Sequence, residues 1–482
     1  MTDQTAVTRI SRRVLGLGAS AEAQETLYEL GPLDRLALHW LPIIVVFLYP
    51  EPIDPPTLTR AIEVLFQEGG YSHLTGRLHV DSDRPESTCV NKIGSGVEFH
   101  LAKAGSPEGG IRSYIQDGSS SLASFPDDGL CLLPPYPPPQ FDSSLTLPED
   151  HPLLSVQLTQ FPQDTGGGSA LAFRLSHIVA DAHGFTNLLK DLSSIYTQLS
   201  KCSDSPSIPN VPQVKAYRPG PADFNHEQDS FKPKLYSLDP PIHGPFSDKA
   251  VGKVLRFDKA TLSSLKGLAT PPANTTTTAT SSEGWVSTFD ALSAHLYLSV
   301  HRARVSIGRP LSPPDYFTSI NLRKHLQHVL CSEGVGDPQR YFPNCTLNPF
   351  LTISSEKLVT APLSEIAAIL HDLPRSITPK EAERTIEWLT AHPAAHHGFR
   401  FGNGCFMVTQ WTGFDLYGIE LGGRPLKVSL PFTPQSLFDG LAYFMPTEEQ
   451  GAIDVYLTLT PEVWDVLEGG EALTRIGGPT SG

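Results

Sequence analysis

The sequence predicts an α/β protein of two domains, and three observations lead to this fold class. A chain of 482 residues is too long for one hydrophobic core and divides into two or three compact units. In the N-terminal part, an apolar run at 41–49 is followed by a helical pattern at 56–68. The same succession of strand and helix returns at 254–269, so the second domain also begins as α/β.

The composition is that of a globular protein. Hydrophobic residues make up 39% of the chain and charged residues 18%, which allows large buried cores. The formal net charge is -15, and no block of lysine and arginine is present that could neutralise a run of phosphates. Nucleic acid is therefore not expected as a partner, although one local cationic pocket would suffice for an anionic small molecule.

Cysteine usage and the apolar runs predict a reduced, cytoplasmic protein. The six cysteines are scattered, without a CxxC pair or a metal-like grouping with histidine. Residues 1–25 carry three arginines but no apolar segment of the kind that a signal peptide needs. The longest apolar run, 41–49, is about half as long as a bilayer crossing, so we expect no membrane span.

The first predicted strand and helix can be bounded from their residues. Residues 41–49 (LPIIVVFLY) are β-branched and aromatic, which predicts a fully buried strand. Apolar residues at helical spacing predict a helix at 56–68, with Thr57 and Thr59 as candidate N-terminal caps.

A predicted hairpin precedes the most informative segment of the chain. Its strands are 152–160 and 169–175, and the glycines at 166–168 suit the turn between them. A helix is predicted at 187–199. The segment between hairpin and helix, 176–185 (SHIVADAHGF), is then a loop, which is where functional side chains are most often found.

Proline-rich and polar stretches separate these elements. The stretch 119–142 predicts a surface excursion, because proline removes backbone donors from helices and central strands. A second polar stretch, 201–248, predicts the crossover between the domains. A third stretch, 275–282, consists mostly of threonine and serine and predicts a mobile loop.

The C-terminal half contains a long amphipathic helix, predicted at 287–304 with Ser287 or Thr288 at its start. The predicted division of the chain is an N-terminal domain at 1–215, a crossover linker at 216–250 and a C-terminal domain at 251–482.

His177 is the candidate catalytic residue. It follows a predicted strand, and the small residues Ala180, Ala182 and Gly184 leave room for a substrate beside its ring. A neutral imidazole can take a proton from a hydroxyl group and return it to a leaving thiolate. The HxxxD spacing to Asp181 indicates little by itself, because it arises by chance and most histidines serve the surface or the core.

Several ordered motifs together resemble the BAHD acyltransferase superfamily. HIVAD at 177–181 with Gly184 resembles the family's HxxxDG motif, TSINLRKHL at 318–326 resembles its basic strand, and YFPNC at 341–345 resembles its YFGN segment. The N-terminal segment LGPLDRLALHWLPIIVVFLYP matches as well, and the resemblance spans about 25–470. The pattern is most similar to the fungal branch, including trichothecene acetyltransferases.

The resemblance implies a fold and a reaction. Each domain would be a mixed β-sheet flanked by helices, as in chloramphenicol acetyltransferase, with an active-site tunnel at the interface. His177 would act there as the general base while an acyl group, expected to be acetyl, passes from coenzyme A to a hydroxyl group of a secondary metabolite. Such a ternary complex needs no serine or cysteine nucleophile, and the chain has no GxSxG motif. We expect a monomer without a metal or bound cofactor.

The resemblance also implies structural roles for four residues. Asp181 could orient the imidazole, but the family's aspartate meets an arginine away from the tunnel, so we favour a structural role. Gly184 is expected to permit a turn or a close approach. The family's DFGWG segment corresponds to ELGG, where Glu420 replaces aspartate and a tryptophan is missing. We predict that Glu420 forms an ion pair with Arg323.

Residues for binding the acyl donor are suggested by the same resemblance. Thr409 and Trp411 lie where the family's SW segment lines the coenzyme A channel, although a core role for Trp411 is at least as plausible. Arg424 and Lys427 are further candidates for its phosphates.

Three other histidines are possible site residues. His183 could contact the acceptor, but a solvated histidine is the more common explanation. His396 and His397 have no acidic or cysteine ligand at zinc-like spacing, so no metal site is predicted.

Other readings keep the histidine but change the chemistry. A carrier-protein thioester or an amine acceptor would use the same base in the same fold. A donor-free cyclisation or isomerisation of a metabolite would agree with the altered ELGG segment. A silent binding module is the third reading, and the intact HxxxD motif argues against it.

Overall fold

The computed structural model describes most of the chain, in segments separated by short gaps. The described residues are 7–17, 27–37, 41–80, 84, 87–105, 110–115, 122, 125–136, 151–201, 206–208, 211–219, 231–239, 250–270, 285–309, 315–400, 402 and 404–469.

The strands of the described residues are numbered along the chain. They are β1 (Val7–Leu15), β2 (Tyr28–Glu29), β3 (Pro42–Tyr49), β4 (Arg77–His79), β5 (Cys89–Asn91), β6 (Val97–Ala104), β7 (Leu154–Gln160), β8 (Ser169–Ser176), β9 (Tyr236–Ser237), β10 (Val251–Phe257), β11 (Asp315–Thr318), β12 (Ile320–Asn321), β13 (Thr346–Leu347), β14 (Phe350–Thr352), β15 (His396–His397), β16 (Phe406–Gln410), β17 (Lys427–Ser429), β18 (Leu441–Pro446) and β19 (Ile453–Leu459).

The helices are numbered in the same way. They are α1 (Pro55–Gln67), α2 (Ala182–Ser200), α3 (Lys259–Ala269), α4 (Thr288–Ser306), α5 (Gln327–Ser332), α6 (Ser355–Thr360), α7 (Leu363–Arg375), α8 (Pro379–Ala391) and α9 (Pro461–Gly469).

The first sheet has six strands in the order β1-β6-β7-β8-β3-β17. The β6–β7 pair is parallel and the other pairs are antiparallel, so the sheet is mixed. One face packs against α1 and α2 and encloses a core that includes Phe47, Phe173 and Phe185. The predicted strand at 41–49 and the predicted hairpin are confirmed as β3 and as β7 with β8.

The second sheet also has six strands, in the order β10-β19-β18-β16-β11-β14. Two of its pairs, β16–β18 and β11–β16, are parallel, so this sheet is mixed as well. Its core lies against α4 and α9 and includes Tyr297, Phe444 and Trp464. The fold class predicted from the sequence, two mixed sheets flanked by helices, is confirmed.

Helix caps follow from short polar side chains, although not always from the predicted ones. Helix α4 begins after Ser287, whose hydroxyl accepts from the Asp290 amide while the Asp290 carboxylate accepts from the Ser287 amide. The caps proposed for α1 were wrong. Asp54 caps that helix, because its carboxylate accepts the Thr57 amide at 2.9 Å, while Pro55 begins the helix without needing a donor.

The proline-rich stretch at 119–142 is not simply a surface excursion. Its described part contains 3₁₀ turns within Pro126–Leu132, interrupted by a kink at 127–129, and the side chains of Phe125, Leu132 and Leu133 are buried. They cover the face of the first sheet opposite α1 and α2, where they pack with sheet residues such as Val46. The predicted loop at 275–282 and most of the predicted crossover at 201–248 lie outside the described residues.

The two halves of the chain are interleaved at one strand. β17 lies within the range predicted for the C-terminal domain, yet it pairs with β3 at the edge of the first sheet. C-terminal side chains such as Trp411 and Tyr417 also enter the first core. The exact division of the chain into domains stays a prediction.

Candidate active site

His177 lies directly after β8, in the turn that leads to helix α2. Its backbone amide donates to the Leu41 carbonyl at 3.3 Å, and its own carbonyl accepts from Asn344 Nδ2 at 2.9 Å. Asn344 comes from the C-terminal half of the chain, so this contact joins the histidine to both halves. The backbone of the candidate base is therefore held on two sides.

The imidazole of His177 is partly exposed, but its Nδ1 atom is buried. No described residue forms a hydrogen bond with Nδ1. Burial lowers the pKa of His177 below 6.5, although its own backbone, Asp181 and Asn344 each act in the opposite direction. The ring is consequently neutral at pH 7, which is the protonation state that a general base requires.

Asp181 caps helix α2. Its Oδ1 atom accepts the Gly184 amide at 2.9 Å, and the helix begins at Ala182. The predicted start at residue 187 was therefore wrong, because the HxxxD aspartate is also a helix cap. The segment after Asp181 is the first turn of a helix, and this fixes the direction in which the chain leaves His177.

Asp181 also forms a buried ion pair with Arg323. Both guanidinium nitrogens donate to the carboxylate, over 2.9 and 3.0 Å, and the Cys345 amide donates to the same carboxylate at 2.9 Å. Arg323 is 0% exposed and Asp181 3%. With these partners, Asp181 makes no hydrogen bond to the His177 imidazole, and its observed contacts are structural.

The predicted ion pair between Arg323 and Glu420 was wrong. The Arg323 guanidinium donates to Asp181 and also to backbone carbonyls of Tyr341 and Pro343 and to the Asn321 side chain, at 2.9–3.2 Å. These contacts occupy the fork of donors that arginine presents. Glu420 is exposed, and its backbone instead exchanges two hydrogen bonds with the hydroxyl of a serine on α2.

Gly184 is required by a close approach of two backbones. A Cβ atom at this position would lie 2.1 Å from the carbonyl oxygen of Phe342. Of the two predicted reasons for this glycine, a turn or a close approach of the backbone, the structure shows the close approach. It brings the start of α2 against the YFPNC segment that carries Asn344.

Asp34 and Asn344 are site residues to which the sequence analysis assigned no role. Asp34 Oδ1 accepts from both the backbone amide and the side-chain amide of Asn344, each at 2.9 Å. Asp34 Oδ2 accepts from the Gly31 amide at 2.8 Å. Burial raises the pKa of Asp34 to about 6, while the contacts with Asn344 and Gly31 act against this rise.

A signal for this pair was present in the sequence but could not be read there. Asp34 lies in LGPLDRL and Asn344 in YFPNC, two segments that resemble the family. Their separation of 310 positions gives no indication of contact. Only the fold shows that the Asn344 amide links the Asp34 carboxylate to the His177 carbonyl.

Thr409 and Trp411, the candidate donor-binding residues, lie at the end of β16 and just after it. Thr409 is partly exposed, whereas Trp411 is 4% exposed and packs edge-on against Phe414. Phe414 in turn meets the ring of His183, with centroids 6.0 Å apart. The segment therefore lies near the start of α2, and the role of both residues in donor binding stays a prediction.

His183 is held by polar contacts in the first turn of α2. Its Nε2 atom lies 2.9 Å from the Gln339 carbonyl, and its Nδ1 atom lies 3.3 Å from Asn321 Nδ2. Nε2 thus donates and Nδ1 accepts, which is the pattern of a neutral ring. Burial also lowers the pKa of His183 below 6.5, which favours this neutral form.

The structure also shows the contacts of the other candidate residues, two cations and two histidines of the C-terminal half. Lys427 is 3% exposed and lies 3.4 Å from Glu448, so it is engaged within the protein, whereas Arg424 is exposed beside the Tyr417 ring. His396 and His397 form β15, which pairs with β9. Within the described part of the chain, no three histidine, cysteine, aspartate or glutamate side chains are grouped as a metal site.

Fold and site together define a class of protein. The chain forms two mixed sheets flanked by helices, and a neutral histidine follows a central strand of the first sheet. A capped helix and a buried ion pair fix that histidine's loop. This is the architecture of two-domain acyltransferases. The chain matches the model of the Transferase family over residues 69–469 and belongs to this family, the BAHD acyltransferases.

Curated relatives are similar to parts of the chain. An O-acetyltransferase of Cryptosporiopsis sp. is 26% identical over 253 residues, 49% of this chain and 51% of the relative. Putrescine hydroxycinnamoyltransferase 3 of Oryza sativa subsp. japonica is 27% identical over 277 residues, 55% and 57% of the two chains. Trichothecene 3-O-acetyltransferase of Fusarium sporotrichioides is 24% identical over 346 residues, 67% and 68%. The chain thus spans little more than half the length of the first two.

Solved structures share the fold over nearly the whole chain. Vinorine synthase superposes with a TM-score of 0.66 at 16% identity, covering 96% of this chain and 97% of the other. The F. graminearum TRI101 complex with coenzyme A and T-2 mycotoxin gives a TM-score of 0.63 at 17% identity, covering 93% and 98%. Among the described residues, no helix has the length and apolar character needed to cross a membrane.

Proposed function

We propose that this protein transfers an acyl group, in the first instance acetyl, from coenzyme A to a hydroxyl group of a secondary metabolite. The observation that carries the proposal is the neutral, partly exposed His177, held by backbone contacts at the meeting of the two halves of a BAHD family chain. The O-acetyltransferase and the trichothecene 3-O-acetyltransferase among its relatives support acetyl transfer to oxygen.

The proposed chemistry uses one side chain as base and then as acid. With Nδ1 buried, the other ring nitrogen, Nε2, takes the proton of the acceptor hydroxyl as its oxygen attacks the thioester carbonyl. The tetrahedral intermediate then collapses, the carbon–sulfur bond breaks, and the imidazolium returns the proton to the leaving thiolate. The products are an ester and coenzyme A with a free thiol.

Direct transfer is favoured over an acyl-enzyme by the state of the cysteine near the site. Cys345 is 1% exposed, and burial raises the pKa of its thiol to about 12. A thiol that stays protonated at neutral pH is a poor nucleophile. We therefore propose a ternary complex, in which acceptor and donor are bound at the same time in a tunnel between the two halves.

Coenzyme A is proposed as the acyl carrier, and Thr409 and Trp411 as residues that line its channel. Solved neighbours contain coenzyme A or ethyl coenzyme A. Because Lys427 is paired with Glu448, the exposed Arg424 is the better candidate for a phosphate contact. We also propose a cytoplasmic monomer of fungal origin.

An amine acceptor is the second candidate. The names of two relatives, putrescine hydroxycinnamoyltransferase and piperamide synthase, describe other acyl transfers, and both are as similar to this chain as the acetyltransferases. A histidine base serves an amine as well as an alcohol, so the acceptor's atom is decided by experiment.

The first test measures release of free thiol from acetyl-CoA by wild type and His177→Ala, with panels of hydroxylated and amine-bearing metabolites. General base catalysis contributes about 10²- to 10⁴-fold, so the variant should lose at least that much of the acceptor-dependent rate. His328→Ala is the matched control, because its side chain is 67% exposed on the short helix α5.

The outcomes separate the readings. Acceptor-dependent release that His177→Ala loses and His328→Ala keeps supports the acyltransferase. Thiol release that persists in His177→Ala would remove the histidine as base. No release with any acceptor or longer acyl donor would favour the donor-free reaction.

A further inference from the structure

Arg174 is a buried cation with no anionic partner among the described residues. It lies on β8, is 6% exposed, and its Nε atom is buried without a hydrogen bond. No described carboxylate lies within ion-pair distance of it. Its recorded contact is with the ring of Tyr136, whose centroid is 4.1 Å from the guanidinium carbon.

Ser176 provides a second unpartnered polar group beside it. The serine is 7% exposed, and its hydroxyl is buried without a hydrogen bond in the described structure. Successive side chains of a strand alternate between faces, so Arg174 and Ser176 share one face of β8. Five donors of one guanidinium and one hydroxyl donor thus point to the same side of the sheet.

A carboxylate two strands away on this sheet, that of Glu98, is already engaged by other side chains. Arg174 and Glu98 both flank Ser155, from the two neighbouring strands. Glu98 accepts from Arg12 and from His100, the latter at 3.0 Å. The Glu98 carboxylate therefore interacts with Arg12 and His100, and it forms no ion pair with Arg174.

A buried charge without a partner among the described residues is unfavourable, and this makes the arrangement informative. Folded proteins usually pair a buried charge with an opposite charge or keep charged side chains at the surface, because removing an ion from water is strongly unfavourable. Burial lowers the pKa of Arg174 to about 10, so the side chain still carries its charge at neutral pH. A ligand anion would supply the missing partner.

We propose that Arg174 and Ser176 bind a carboxylate group of the substrate. This inference rests on the proposed function and adds the substrate class: a hydroxy or amino acid as acceptor, or a dicarboxylic acyl group on the donor. A carboxylate accepts two parallel hydrogen bonds from a guanidinium, and the Ser176 hydroxyl donates a third.

The position on β8 relates this site to His177. His177 lies three positions after Arg174 along the chain, about 10 Å away in an extended strand. A hydroxy acid whose carboxylate and hydroxyl group are separated by several carbon atoms spans such a distance. A substrate anchored through its carboxylate at Arg174 can present its far end to the histidine.

The binding test uses formate, the smallest carboxylate, so that the shape of the natural substrate does not matter. Melting temperature is measured in sodium formate and in sodium chloride of equal concentration for wild type and Arg174→Met. Arg13→Met is the control, since it removes the same charge from an exposed position on the same sheet. Wild type and Arg13→Met should gain about 1–2 °C from formate, and Arg174→Met none.

The variant itself should fold. Replacing an unpaired buried charge by an apolar side chain of similar length removes a desolvation cost, so Arg174→Met is expected to melt at or above wild type in chloride. Arg174→Lys keeps the charge without the planar fork and should retain a reduced formate response. Loss of folding in Arg174→Met together with no formate effect in Arg174→Lys and wild type would overturn the proposal.

Turnover then distinguishes the two sources of the carboxylate. Thiol release is compared for hydroxy acids and their methyl esters, and for malonyl-CoA and acetyl-CoA. A preference of about 10-fold or more for one acid partner should disappear in Arg174→Met, because the rate with the acid falls toward the rate with its ester or with acetyl-CoA. An equal formate response in wild type and Arg174→Met would contradict the carboxylate site even if acyl transfer is confirmed. A formate response that depends on Arg174, without turnover of any substrate, would support the site and show that the proposed reaction is wrong.

Discussion

At the scale of single residues, burial sets the protonation state of histidine. His177 and His73 both have pKa values below 6.5, and burial is the largest cause for each. The reaction proposed for His177 requires this, because a neutral ring can accept a proton. The site explains no such role for His73, which stacks on Tyr28, meets the edge of Phe342, and has no hydrogen bond to either ring nitrogen in the described structure.

His73 should make the protein less stable as the pH falls. Its pKa is lowered from 6.5 to about 3, so below pH 6.5 the unfolded chain binds a proton that the folded chain excludes. The loss begins at pH 6.5 and continues down to the folded-state value. In His73→Phe, which keeps the aromatic contacts, this part of the pH dependence should vanish.

The measurement is urea unfolding at pH 6.5 and pH 5.5. Relative to wild type, His73→Phe should gain about 1 kcal/mol of unfolding free energy over that interval, because the unfolded-state histidine is already half protonated at pH 6.5. His79→Phe, at an exposed position on β4, serves as the control and should follow wild type. Parallel pH dependences of wild type and His73→Phe would show that His73 is protonated in the folded state.

At the scale of elements, the start of helix α2 determines the shape of the active-site loop. Asp181 caps the helix, pairs with Arg323 and accepts the Cys345 amide, so one carboxylate fixes three segments. Gly184 permits the close contact with the Phe342 carbonyl that brings these segments together. The HxxxD motif is therefore a structural unit as well as the position of the proposed base.

Gly184→Ala should damage this unit. Its Cβ would overlap the Phe342 carbonyl, a backbone atom that can move only with its neighbours, so we expect a loss of about 1–3 kcal/mol in unfolding free energy and reduced turnover. Gly267→Ala is the matched control: it lies in helix α3 with nothing within 4 Å of the new Cβ. Alanine there should raise stability by about 0.5–1 kcal/mol.

Thermal unfolding and thiol release for the two variants give the comparison. Equal stability of Gly184→Ala and wild type would mean that the YFPNC segment moves away without cost, and the contact would then have no part in fixing the loop.

At the scale of the whole molecule, the two halves are joined around His177 rather than merely adjacent. Asn344 links Asp34, near the N-terminus, to the His177 carbonyl, while β17 extends the first sheet. Arg256 on β10 binds Glu448 and Asp454, and Glu448 also contacts Tyr417 in the first core. The position of His177, the proposed base, thus depends on the association of both halves.

Asn344→Ala tests this dependence. It removes two side-chain hydrogen bonds and leaves the buried Asp34 carboxylate with fewer donors, so stability should fall by about 1–3 kcal/mol. Because the His177 backbone loses one of its supports, the turnover number should fall by about 10- to 100-fold. Asn348→Ala, which loses only a surface contact with Ser319, is the control.

Steady-state kinetics decide between positioning and general destabilisation. At a temperature well below the melting point, a positioning role lowers kcat while the KM for acetyl-CoA stays near wild type. A normal kcat in folded Asn344→Ala would show that the His177 carbonyl contact is dispensable.

Much of the fold could be predicted from the sequence, because local patterns dictate local structure. Strand β3 and the β7–β8 hairpin were predicted from β-branched runs and glycines, and α4 from its periodicity and Ser287. The start of a helix was predicted wrongly where the residue that caps the helix also belongs to a sequence motif. Asp181 was seen only as part of a motif, so the start of α2 was placed five residues too late.

What the sequence determined by itself was the fold class, the family and the candidate base, since these depend on residue patterns within short segments. The tertiary structure alone decided the partners: Arg323 with Asp181 instead of Glu420, Asn344 between Asp34 and His177, and Arg174 without a described anion. The physical reason is that hydrogen bonds and ion pairs depend on distances of about 3 Å between residues that are far apart in the chain. Sequence spacing carries no information on such distances until the sheets are assembled.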